Sequence, residues 1–127
     1  MRDARIAAML VVTAAGCVSP PAPTDNDRLR GAMGRNDDHR LRIQYQTHAP
    51  GRGINERVAA IEKEIASLAG LRPFGDTRDA LLTGLVPRAL IRLSELRDAE
   101  WTKENVAENW RKLEATCAGC HQAFERR

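Results

Sequence analysis

An all-α fold, an antiparallel four-helix bundle, is what three observations about this sequence predict. Beyond Thr24 the apolar residues recur at intervals of three and four rather than in alternation, which is a helical period. Four such stretches are separated by segments of about 5 to 12 residues, short enough to join antiparallel neighbours in up-down-up-down order. The 127 residues, 43% hydrophobic and 29% charged, suit one soluble domain with a modest core and leave no room for a second. Most multi-domain enzymes are thereby excluded. No Ser-His-Asp arrangement, phosphate-binding glycine loop or second metal cluster is present. The net charge of +3 is scattered without a polybasic run, which speaks against a nucleic-acid ligand and against a charge-driven membrane surface.

The first element is an address rather than part of the fold. Residues 1–16 combine a basic start, a largely apolar run over 6–15 and a small-residue end at Gly16, the layout of a secretory signal. The run is too short to span a bilayer. Ala14-Ala15-Gly16-Cys17 resembles the lipobox of bacterial lipoproteins, in which the Cys becomes the acylated first residue of the mature chain. Ala14 stands where a large aliphatic residue is usual, and cleavage to a soluble periplasmic chain is the alternative. Loss of Arg2, Arg5 and Asp3 changes the formal charge from +3 to +2. Residues 17–24, with Pro20, Pro21 and Pro23, read as an extended tether from a lipid anchor at Cys17. The bundle domain then occupies residues 25–127.

The first helix begins near Thr24 or Asp25, either of which can cap it, and carries Leu29, Met33 and Leu41 on an approximate face weakened by Gly31, Gly34 and Asn36. The second places Ile54, Val58, Ile61, Ile65 and Leu68 at steps of 4, 3, 4 and 3, with Glu62, Lys63 and Glu64 as a solvated face. Gly53 or Asn55 starts it, and Gly70 with Pro73 ends it. The third runs from about residue 77 to 99 with Leu82, Val86, Ala89, Leu93 and Leu96 on one side and a kink expected at Pro87. The fourth begins near Thr102, a candidate cap. It brings Val106, Trp110, Leu113, Cys117, Cys120 and Phe124 into one seam. Trp101 just ahead of it reads as a hydrophobic staple, and Trp110 as a core or cofactor-contacting aromatic. With only 4% aromatics such a core is hard to fill at native density, so a large buried cofactor is expected.

Cys117-Ala118-Gly119-Cys120-His121 is the C-x-x-C-H pattern of covalent c-type haem attachment. On a helix the two thiols share a face with Cβ atoms about 5 to 6 Å apart, so both can add to the vinyl groups of one haem as thioethers. The neighbouring His121 then offers its imidazole to the iron, and Ala118 and Gly119 leave the ring edge room. Other chemistries fit less well. A thioredoxin-like pair belongs at a helix N-terminus after a strand. A zinc site lacks a fourth ligand, since His39 and His48 are remote. A Cys117–Cys120 disulfide would strain a regular helix.

The run Leu113-Glu114-Ala115-Thr116-Cys117-Ala118-Gly119-Cys120-His121-Gln122-Ala123-Phe124 is followed by so few residues that a second axial ligand comes from upstream. A haem motif on the last helix of an all-α chain, with an aromatic three residues beyond the His, resembles the cytochrome c′ class of four-helix-bundle haem proteins. The resemblance implies that Cys117 and Cys120 hold one haem c, that His121 is the proximal ligand, and that Phe124 packs on the haem side. Relatives carry a basic residue four after the His, whereas this chain has Glu125. In that class the iron is either five-coordinate, binding NO or CO, or completed by a Met from the first helix. Met33, the one Met beyond residues 1–16, lies on that helix between Gly31 and Gly34 and is the expected sixth ligand. Packing without ligation is the alternative. His39 and His48, in polar surroundings, are the less suitable ligands.

The expectation is therefore an exported, periplasmic, lipid-anchored monohaem c-type cytochrome that exchanges electrons with a redox partner protein and turns over no substrate. The resemblance adds pairing into a homodimer through the first two helices. A five-coordinate gas-binding cytochrome c′ and a haem-free structural lipoprotein are the competing functions.

Overall fold

Helices form wherever the three-and-four spacing predicts them. The computed structural model describes residues 19–125, and these contain four helices and no strand: α1 (Asp25–Gln46), α2 (Arg52–Ala66), α3 (Thr77–Asp98) and α4 (Val106–Glu125). The signal and Cys17 lie outside the described residues; residues 19–23 are exposed and without regular structure.

Local chemistry sets each boundary. Thr24 and Asp27 cap α1 reciprocally, each side chain bonded to the other's backbone N–H at 3.1 and 3.0 Å. Those backbone and hydroxyl donors hold the Asp27 carboxyl below the usual carboxylate range. Asp76 caps α3 through the Arg78 N–H. α2 opens on Gly51 with no side-chain cap. Neither Gly53 nor Asn55 serves there, because the Asn55 amide is used elsewhere: it donates to the Arg97 and Ala99 carbonyls at 2.7 and 2.6 Å, tying α2 to the end of α3. Thr102 and Asn105 bond each other's backbone N–H across a turn, and α4 proper starts after it at Val106. α3 is continuous through Pro87, which does not end it.

The five expected core positions of α3 are all buried, as are Ile54, Val58, Ile61 and Leu68. α1 departs from expectation. Leu41 is 42% exposed, and the fully buried side chains are Ala32 and Ile43. Leu41 stands about two and a half turns past Ala32, on the opposite side of the helix.

Successive helices pack against one another, whereas α1 and α4 make little backbone contact. Ion pairs lace the seams: Arg35 grips Glu64 with two 2.9 Å bonds, Arg97 pairs with Glu62, and Arg40 reaches Glu114 of α4 at 3.0 Å. Glu62 and Glu64 thus bridge helices rather than simply facing solvent.

The core has two parts. One gathers Ile43, Ile54, Val58, Ile61, Leu93, Leu96, Trp101 and Leu113, from the end of α1, the start of α2, the end of α3 and the start of α4. The other gathers Ala32, Leu68, Leu82 and Val86, with Leu29, Met33 and Phe124 packed at its edge. Each part mixes helix beginnings with helix ends, which is the antiparallel arrangement.

Candidate functional site

The second part of the core is hollow. Between the helices lies a cavity of about 390 Å³, within the range of small-molecule and cofactor sites. Its walls are Leu29 and Met33 of α1, Ile65 and Leu68 at the end of α2, and Leu82, Leu85, Val86 and Ala89 of α3; Ile61 and Leu93 form the floor against the packed core. The fourth wall is the last half of α4, with Thr116, Cys117, Cys120, His121 and Phe124.

That wall follows from the seam of α4. Steps of four and three carry Leu113, Cys117, Cys120 and Phe124 along one side, yet only Leu113 of these is fully buried. The other three are half-buried, because the cavity stands where their packing partners would be. His121, one position off the seam, is exposed at the cavity's edge. Met33 faces the same space from α1, half-buried. All five residues expected to meet a cofactor thus line one cavity.

The thiols are neutral groups. Cys117 and Cys120 are not disulfide-bonded, and burial pushes both above the ordinary thiol range. For Cys117 the Glu114 carboxylate adds to this and Arg40 opposes it. A redox-active pair needs a stabilised thiolate, so this environment suits hydrophobic thiols and not thiol–disulfide exchange. Among the described residues no three His, Cys, Asp or Glu side chains gather into a metal-binding group. A haem requires no such convergence, since the thiols meet the ring edge and the imidazole meets the iron.

The residues present fit a haem on three counts: apolar walls, a thiol pair on one helical face, and an adjacent imidazole at the rim. Trp110 packs on the sealed core and does not line the cavity. His39 and His48 do not line it either; His39 Nδ1 lies 3.3 Å from Arg57, and His48 is exposed.

Three contributors went unread in the sequence. Phe74, in the segment between α2 and α3, closes the end of the cavity, its ring centre 5.6 Å from that of Phe124 and covered by Arg78 at 4.4 Å. The Asp79 carboxylate holds the backbone of Phe74 and Gly75 in place, and Asp25 holds that of Arg72. Asn36 and Arg40 continue the 4-3-4 progression Leu29, Met33, Asn36, Arg40 into a polar corner of the cavity. That spacing was the available signal, masked by their polarity. Arg40 is gripped by Asp37 and Glu114, which raise its pKa, and it spans the loosely packed α1–α4 seam. The Asn36 Oδ1 is buried with no hydrogen-bond partner among the described residues.

No known protein family, curated protein or solved structure matches the chain.

Proposed function

We propose that this chain is an exported monohaem c-type cytochrome of the cytochrome c′ kind, acting in electron transfer. The observation that carries the reading is the meeting of Met33 from α1 with Cys117, Cys120, His121 and Phe124 from α4 around one apolar cavity. When bound, haem c supplies one-electron chemistry at its iron.

The chain's own residues do the rest. Cys117 and Cys120, both in the cavity wall, would hold the ring covalently to α4. His121 offers an imidazole nitrogen from the α4 side, and Met33 a thioether from the α1 side. The aliphatic walls, closed at one end by Phe74 and Phe124, exclude water and so lower the local dielectric. The α1–α4 seam, spanned by side chains more than by packing, is the edge at which a partner protein approaches. Export by residues 1–16, a lipid anchor at Cys17 in the periplasmic space and pairing into a homodimer belong to the same proposal. No helix among the described residues is long and apolar enough to cross a membrane.

Production in a host that attaches c-type haem tests the reading. The expected product is red, has a c-type pyridine haemochrome spectrum, and gains the mass of one haem that Cys117→Ser/Cys120→Ser loses. A colourless product with the mass of bare polypeptide overturns it. In the red protein, Met33→Ala is expected to abolish a low-spin oxidised spectrum and to open the reduced iron to CO. If the unaltered protein binds CO at once, the iron is five-coordinate and Met33 only packs.

A further inference from the structure

One end of the large cavity is covered by a strap of chain rather than by a helix. Residues 71–74 run from α2 towards α3 between Gly70 and Gly75, whose φ angles of 79° and 70° lie in the left-handed region, where no other described residue is found. Glycine takes either sign of φ at little cost, so the strap can swivel at both ends. Past Leu71, whose N–H stays on the Leu68 carbonyl, every backbone donor of the strap goes to a carboxylate and none to another strand of backbone. Arg72 donates to Asp25 at 2.9 Å, while Phe74 and Gly75 donate to the two oxygens of Asp79 at 3.0 and 2.9 Å. Pro73 has no N–H to offer.

The strap has an inner and an outer face. Half-buried Phe74 lines the cavity and meets Phe124, one helical turn beyond Cys120. Over the same ring lies the Arg78 guanidinium, itself bonded to Asp76, and both of these charged residues are exposed. An apolar plug is thus backed by a solvated ion pair and tied down by side chains alone.

We propose that residues 71–75 form a lid through which apolar molecules enter the cavity, with Phe74 as the plug and Asp79 as the latch. The cavity walls are largely aliphatic, so what passes is an apolar molecule or the apolar edge of a cofactor. Asp79 makes two of the three ties, and its release frees the end of the strap that carries Phe74; Asp25 keeps the other end on α1. The lid belongs to the cavity and not to one occupant, so it stands or falls independently of the haem reading.

Hydrogen exchange of the unaltered full chain tests the lid. The Phe74 and Gly75 amides should exchange through a local opening insensitive to low denaturant, whereas those of Leu93 and Leu113 should exchange only with global unfolding. Lid amides without protection, or with the denaturant dependence of Leu93 and Leu113, overturn the proposal. Thiol labelling of the haem-free full chain tests entry. With a bulky apolar maleimide Cys120 should react at least about tenfold faster in Asp79→Ala, the factor for one lost hydrogen bond to a charged group, and likewise faster in Phe74→Ala. The gain with small iodoacetamide should be less. Unchanged rates place the entry elsewhere, and equal gains with both reagents mean a general loosening of the helices; either result overturns the proposal.

Discussion

Where α1 and α3 finish and α2 and α4 begin, side chains from all four helices meet directly. Ile43, Ile54, Leu93 and Leu113 are each at most 1% exposed, and the Trp101 indole packs among them with its N–H on the Leu96 carbonyl at 3.0 Å. At the opposite end the same helices stand apart. There α4 contributes no fully buried side chain, and α1 contributes Ala32, too small to reach across. One end is stabilised by its own packing, while the other leaves a cavity among its side chains. The chain thus separates a packed end from a hollow one along its length: the closed end holds the helices in register, and the register brings the thiols, imidazole and thioether to a common space.

The largest expected effects test that division. Leu113→Ala or Ile54→Ala at the closed end should cost about 2–5 kcal/mol, the range for a fully buried aliphatic side chain, in both haem-attached and haem-free protein. In the haem-free protein Leu82→Ala, on the cavity wall, should cost at most about 2 kcal/mol, since its neighbours already lack atoms on one side. Denaturant unfolding of the three variants measures this, and equal losses at the two ends would break the comparison.

Polar fastenings differ in the same way, on a smaller scale. At the closed end Asn55 bonds two carbonyls from within a partly buried seam, so Asn55→Ala should cost about 1–3 kcal/mol by leaving both without a donor. At the hollow end the fastening of α1 is the exposed Thr24–Asp27 cap, and Thr24→Ala should cost about 1 kcal/mol. That loss should be confined to the start of α1 in hydrogen exchange. A global loss from Thr24→Ala would mean that the hollow end helps to hold the whole fold.

Much of this division is legible in the amino-acid order, and its gaps have physical reasons. The steps through Ile54 to Leu68 and Leu82 to Leu96 name their core residues because large aliphatic side chains at helical spacing have one side to bury. α1 is harder, since its inward side is made of Ala32, Met33, Asn36 and Arg40, which hydrophobicity ranks low, while the outward Leu41 ranks high. The C-x-x-C-H run suggests the proposed chemistry by spacing alone, but that the space before it is hollow needs the placement of four helices. Phe74 is hidden for a related reason: its position depends on Asp79 and Asp25 gripping an irregular segment, and no period announces such contacts. The Asn55 amide, offered by its position as a cap, instead serves a carbonyl more than forty residues away.

The subtlest expected effect concerns the thiols of the haem-free chain. Burial raises both, so at neutral pH Cys117 and Cys120 of the haem-free folded chain should react with iodoacetamide more slowly than the same residues in urea. The sign for stability follows. The unfolded chain loses these protons first as pH rises, so the thiols' contribution is fully present below the ordinary thiol range and is lost as pH climbs from there through the raised folded-state values. Arg40 lowers the Cys117 value while leaving Cys120 untouched, and it does so from the α1–α4 seam. Arg40→Leu should therefore slow alkylation of Cys117 relative to Cys120, read by mass spectrometry of the two sites. The opposite outcome, faster reaction at both, would mean that Arg40 acts mainly as a fastening whose loss opens the hollow end. The seam would then belong to the part of the molecule that holds the fold, and the boundary between the two ends would have to be drawn past Glu114.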